Sequence, residues 1–194
     1  MRVISGTRKG NPLSAVPGKG TRPTVDKVKE SIFNMIGPYF DGGIALDLYA
    51  GTGGLGIEAL SRGVDKVIFV DMNRKAIDII KQNLEVTHFS EQAEVYKNEA
   101  SRALKALVKR GLKLDLIFLD PPYAEQKVES EIAILFDYEL LNPNARIVVE
   151  TDVDIVLVDR IGGVEKVKEV EYGNTRVTVY ENRDQHPLGE EEEE

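Results

Sequence analysis

Asp47, Asp71 and Asp120 each stand at the end of a short apolar run, and a cluster of glycines, Gly51, Gly53, Gly54 and Gly56, follows the first of them. The run 44–48 reads as a strand buried on both faces, and Leu55, Ala59 and Leu60 resume at helical spacing after the glycines. Strand, glycine turn and helix is the arrangement that lays a nucleotide-like ligand across a strand's carboxyl end, against backbone N–H groups. Gly51, Gly53 and Gly56 satisfy G-x-G-x-x-G, a weak signal alone, but the acids sharpen it. A buried carboxylate at Asp47 repels a pyrophosphate and suits a ligand with an ammonium or a sulfonium. Asp71, twenty residues past Gly51, is placed to accept hydrogen bonds from ribose hydroxyls. A nucleoside with a positive, amino-acid-like tail is the ligand these features describe: S-adenosyl-L-methionine. The bland alternative is a glycine turn that serves packing alone. The candidate cofactor set is Asp47, Ala50, Gly51, Gly53, Asp71 and Met72.

Asp120-Pro121-Pro122-Tyr123 is the second constellation. Pro122 holds residue 121 extended, and neither proline has an N–H, so the carbonyls near Pro121 are presented rigidly at a strand end. An amino group on a nucleobase is a poor nucleophile because its lone pair is delocalised into the ring. The Asp120 carboxylate and the Pro121 carbonyl are two acceptors that hold its two hydrogens and favour a pyramidal nitrogen. Tyr123 offers a stacking face worth roughly 1–3 kcal/mol per base. The base must leave any helix it occupies, by flipping or in a single-stranded loop. The bland alternative is a turn after a strand. His88 and His186 are isolated, and no spacing of His, Asp or Glu suggests a metal.

The elements that must position these residues follow from periodicity. Apolar runs at 66–70, 93–96, 114–119 and 146–150 alternate with helical patterns, the last near 127–136, and two β-rich runs at 164–170 and 175–180 close the chain as an antiparallel pair. The expected fold is α/β: a doubly wound, Rossmann-like, mostly parallel seven-stranded sheet with an antiparallel C-terminal strand pair. Its fourth strand neighbours the first, which opens Asp120 into the crevice of the glycine turn. An N-terminal β-hairpin arm is expected from runs at 2–5 and 13–16. A helix capped by Thr24 follows, with Val25, Val28, Ile32 and Met35 inward. The expected units are a basic arm over 1–22, a catalytic domain over 23–183 and an acidic disordered tail over 184–194.

Length and composition fit one α/β domain: 194 residues, 42% hydrophobic. The chain has no cysteine, which excludes disulfides, thiolate metal sites and cysteine-based covalent catalysis. No run resembles a signal peptide or a membrane span, so a cytoplasmic protein is expected. The net charge of −8 argues against a nucleic-acid partner until its distribution is considered. Residues 1–29 carry seven basic side chains against the single acid Asp26, and five of the compensating acids sit at 190–194. Such a segment on an acidic body can dock on phosphate. Arg2, Arg8, Lys9, Lys19 and Arg22 are the candidate RNA contacts, whereas Asp26, Lys27 and Lys29 read first as a solvated helix face.

The cofactor half, 47–56 with Asp71, resembles class I S-adenosylmethionine methyltransferases, and Asp120-Pro121-Pro122-Tyr123 resembles the signature of their exocyclic-amino branch. The N-terminal residues 2–6, Lys9-Gly10, 21–24, Asp26, 28–30 and Phe33-Asn34 resemble the RsmD family of bacterial small-subunit rRNA guanine-N2 methyltransferases, and the likeness spans about 1–183. The resemblance implies methyl transfer to the N2 amino group of one guanine of 16S rRNA, within the small ribosomal subunit or an assembly intermediate. It also implies that Asn98 or Glu99 contacts the cofactor's adenine. An amino methyltransferase acting on adenine or cytosine in RNA or DNA is the runner-up. A nicotinamide-dependent oxidoreductase and a non-catalytic RNA-binding module stand behind it, the first disfavoured by Asp47 and the prolines.

Overall fold

Strands alternate with helices from residue 26 onward, and the strands lie in one sheet. The computed structural model describes residues 1–18, 25–122 and 127–184. Five parallel strands come first: β1 (Ile44–Asp47), β2 (Lys66–Asp71), β3 (Ala93–Lys97), β4 (Leu114–Leu119) and β5 (Leu141–Asp152). β6 (Arg160–Ile161), β7 (Val164–Tyr172) and β8 (Thr175–Asn182) follow, with β8 antiparallel to β5 and β7 antiparallel to β8. Strand order across the sheet is β3-β2-β1-β4-β5-β8-β7-β6. The expected seven strands and the antiparallel closing pair are present, and the eighth is the two-residue β6 at the edge. Two residues are too few to show an alternating pattern in sequence.

The helices are α1 (Asp26–Ile36), α2 (Gly54–Ser61), α3 (Arg74–Val86), α4 (Ala100–Arg110) and α5 (Val128–Asp137). Alternation along the strands sorts the core into two layers. Ala45, Val67, Phe69, Leu116, Phe118 and Val148 pack with α1, α2 and α3. Leu46, Leu48, Ile68, Val70, Ile117, Leu119 and Val149 pack with α4 and α5. Both faces are covered, which is why these strands read as continuous apolar runs. No helix among the described residues is long and apolar enough to cross a membrane.

The N-terminal segment, expected as a hairpin arm, is packed on the body. It makes a hairpin-like turn with one isolated bridge, Arg2 to Pro12, and lies docked on the body with Val3, Leu13 and Val16 buried. Glu58 of α2, fully buried, anchors it by accepting the backbone N–H groups of Ile4 at 2.9 Å and Ser5 at 3.1 Å. Two cations compensate that carboxylate: Arg62 Nε at 2.8 Å and Lys29 Nζ at 3.6 Å. Lys29, expected in solvent, is therefore 1% exposed, and its ammonium also donates to the Arg2 carbonyl at 2.6 Å. Burial lowers its pKa, against the pull of Glu58. The inward face of α1 is accordingly Lys29, Ile32, Phe33 and Ile36, while Val25 is 62% exposed. Thr24, Lys19, Arg22, the arm boundary at 22 and the tail 185–194 lie outside the described residues.

Candidate active site

The chain runs from β1 out to β2 and β3, then crosses back to place β4 on the other side of β1. At such a reversal the loops above neighbouring strands diverge and leave a crevice. Register places the three acids around it. Asp47 lies opposite Phe69 on one side and Phe118 on the other. Asp71 and Asp120 come two residues after those partners, so strand alternation directs all three carboxylates to the α1–α3 side of the sheet. Charges on Asp120 and Asp71 are felt at Asp47.

Their environments differ. Asp47 is 3% exposed and accepts the Gly56 N–H at 3.2 Å. Burial first, and the neighbouring acids after it, push its carboxyl up to about 7 despite that hydrogen bond. Asp120 is exposed at the crevice mouth, and desolvation by the protein around it raises its carboxyl to about 6. Asp71 binds backbone with both oxygens: Gly51 N–H at 2.9 Å and Asn73 N–H at 2.8 Å. Among the described residues none of the three has a cationic side chain in ion-pair contact.

The glycine turn is shaped from both sides. Gly51 (φ +57°) and Gly53 (φ +79°) hold left-handed conformations, and a Cβ on Gly51 would meet nothing within 4 Å, so the crevice side is open. Gly56 answers a packing demand instead. A Cβ there would fall 2.3 Å from the Phe69 ring, so only glycine lets α2 lie this close to β2. Ala50 N–H donates to the Val70 carbonyl at 2.9 Å and Asn98 N–H to the Asp71 carbonyl at 3.1 Å, drawing the tips of β1, β2 and β3 together. Met72 is 65% exposed beside Asp71, and Glu99 occupies the N-cap position of α4. The cofactor candidates thus share one rim. Asp120 and Pro121 stand on the other, and Tyr123 lies outside the described residues.

Of the RNA candidates, Arg2, Arg8 and Lys9 lie among the described residues. Arg2 is exposed and pairs with Asp26 at 3.5 Å. Arg8 sits at the far end of α3, its Nε donating to the Thr87 carbonyl at 2.7 Å and its guanidinium 5.5 Å from the Phe89 ring centroid. That position is about 20 Å, the length of α3, from the crevice end of the helix. Lys9 is exposed beside it.

The sequence profile of the family described as Conserved hypothetical protein 95 matches residues 1–181. The chain belongs to that family, the RsmD family. YlbH of Bacillus subtilis, named as a candidate rRNA methyltransferase, is 52% identical over 183 residues, 94% of this chain and all of that protein. The Haemophilus influenzae protein named ribosomal RNA small subunit methyltransferase D is 39% identical over 159 residues, 81% of this chain and 82% of that protein. A solved Escherichia coli structure, yhhF, titled as a candidate methyltransferase, superposes with a TM-score of 0.78 at 30% identity, covering 95% of this chain and 99% of that one.

Beneath the rim lie residues that sequence reasoning passed over. Asn83 of α3, 1% exposed, donates to the Thr52 carbonyl of the glycine turn at 2.9 Å and bonds Ser14 through both its amide nitrogen and oxygen. One amide thus ties the turn to the N-terminal segment. Tyr49 donates to Glu131 of α5, whose carboxyl is raised by burial. A polar residue on an otherwise inward helix face was the available signal for Asn83 and Glu131.

Proposed function

We propose that this member of the RsmD family methylates the exocyclic N2 amino group of a guanine in 16S rRNA, guanine 966 in the ribosomal numbering, with S-adenosyl-L-methionine as methyl donor. The observation that carries the reading is the trio of Asp47, Asp71 and Asp120 around one crevice, with no cationic side chain among the described residues in ion-pair contact, next to an open glycine turn. The donor set fits the cofactor: Asp47 answers an ammonium, Asp71 answers ribose hydroxyls, and Gly51 leaves room for close approach. The names of the family's relatives support an rRNA substrate of the small subunit. Such a substrate implies action in the cytoplasm.

When bound, S-adenosylmethionine supplies a methyl group on a positively charged sulfur. Asp120 and the Pro121 carbonyl accept the two amino hydrogens and keep the nitrogen lone pair out of conjugation. Tyr123 stacks on the extruded base. Asp120 would take the proton that the nitrogen loses on methylation, a role suited to a carboxyl raised to about 6. Positioning supplies much of the acceleration. Arg2 and Lys9, with Lys19 and Arg22, contribute phosphate contacts, while Arg8 is engaged with the fold.

Nucleoside mass spectrometry of small-subunit RNA from cells with and without the protein tests this. One N2-methylguanosine should vanish with the protein. Loss of a methylated adenosine or cytidine instead would assign the runner-up activity.

A further inference from the structure

Along the crevice, four neighbouring parallel strands carry an acid, and the mechanism above uses three of them. The fourth is Glu150, two residues before the end of β5 and level with the tip of β4. Leu119 of β4 pairs with Val149 of β5, so Asp120 and Glu150 are the next residues on adjacent strands. Adjacent strands lie about 5 Å apart. Glu150 shares a face with Val148, two residues before it, and pairs with Val177 of β8; both valines pack in the α1–α3 layer. Asp120 shares that face through Phe118. Glu150 is 8% exposed, a buried acid beside the one that grips the amino group.

Base chemistry gives this adjacency a use. Guanine, adenine and cytosine all carry an amino group, but the ring nitrogen next to it differs. In guanine N1 bears a hydrogen; in adenine and cytosine the corresponding nitrogen presents a lone pair. An ionised carboxylate only accepts hydrogen bonds, so it attracts the first and repels the others. Guanine's N1–H and N2–H bonds leave the same edge side by side, and two acids level with each other on neighbouring strands offer acceptors side by side.

Resting on the guanine-N2 reading, we infer that Glu150 is the specificity-determining residue: its carboxylate accepts the N1–H of the target guanine while Asp120 holds the N2 amino group. A sequence signal was present, since 147–149 is an apolar run ending in an acid, as 67–70 and 116–119 are.

The test uses the full chain and reconstituted small subunits carrying guanosine, 6-thioguanosine or 2-aminopurine riboside at the target position. 6-Thioguanosine keeps N1–H but lacks O6; 2-aminopurine keeps the amino group and loses N1–H. The wild type should methylate 6-thioguanosine within a few-fold of guanosine and 2-aminopurine at least about 100-fold less well in kcat/KM. Glu150→Gln can turn its amide NH2 toward the 2-aminopurine N1 lone pair, and should shrink the guanosine preference by about 10-fold or more with cofactor Kd unchanged. Equal use of guanosine and 2-aminopurine by the wild type overturns the inference without any variant. So does joint loss of both analogues, or a full preference surviving in Glu150→Gln. If the natural substrate yields no N2-methylguanosine at all, the underlying reading falls instead, and this assignment with it.

Discussion

Replacing Asp47 with asparagine should make the ligand-free protein more stable in alkali while destroying its cofactor site. Asp47 has its carboxyl raised from an ordinary 3.8 to about 7, chiefly by burial. The folded state therefore binds a proton more tightly than the unfolded state does. For a group shifted in this direction, stability is highest below the unfolded value and falls as pH rises toward the folded value. Each unit of separation is worth about 1.4 kcal/mol, so the full penalty above pH 7 is about 4 kcal/mol. By pH 5 about 1.7 kcal/mol has already accrued, because the unfolded chain is ionised there. Between pH 5 and pH 8 the wild type should thus lose about 2–3 kcal/mol through this group alone, and Asp47→Asn should not. The asparagine oxygen still accepts the Gly56 N–H, and any cost of its unsatisfied NH2 is the same at both pH values, so it cancels in the difference. Urea unfolding of both proteins at pH 5 and pH 8, without cofactor, gives the four free energies. Parallel pH dependence in the two would refute the assignment of a strained, ionised Asp47. Calorimetry should find no measurable cofactor binding to Asp47→Asn, and wild-type binding about 10-fold weaker at pH 6 than at pH 8, as the carboxylate is protonated below about 7.

Asp120→Ala should abolish methyl transfer while cofactor Kd stays within a few-fold, whereas Asp71→Ala, which removes the acceptor of Gly51 and Asn73, should raise that Kd 10-fold or more by calorimetry. Glu58→Gln should lower unfolding free energy by about 3–5 kcal/mol in urea, because it strands the buried Lys29 and Arg62. Arg8→Ala should lower Tm by removing the Thr87 contact. Lys9→Ala should leave Tm alone and reduce the salt slope of RNA binding by about one.

Legibility in the sequence followed the range of the interactions. Asp47, Asp71 and Asp120 were readable because each acid terminates an apolar run within a few residues of itself, and strand order then followed from the alternation of strands and helices. Lys29 was misread because its partner, Glu58, is far along the chain, and a lysine on an amphipathic helix is solvated by default. Arg8 also has a structural partner that its own neighbourhood in sequence does not show: the Thr87 carbonyl, 79 residues away. Glu58 had a local signal, a lone charge within the apolar stretch 55–60, but what it binds is the backbone of a segment no periodicity connects to it.

The contrast between Glu58 and Asp47 separates structure from function among the buried acids. An isolated carboxylate loses several kcal/mol of hydration on burial and must recover it from cations and hydrogen bonds or give up its charge. Glu58 recovers it within the fold, from Arg62, Lys29 and two backbone N–H groups. Asp47 has one backbone hydrogen bond and two like charges for company. Chain geometry alone does not force this, since an asparagine in the same strand could serve the Gly56 N–H without the charge. What an asparagine cannot do is hold a cation. On the proposed reading, the deficit at Asp47 is stability withheld from the empty fold and returned when a positively charged ligand arrives.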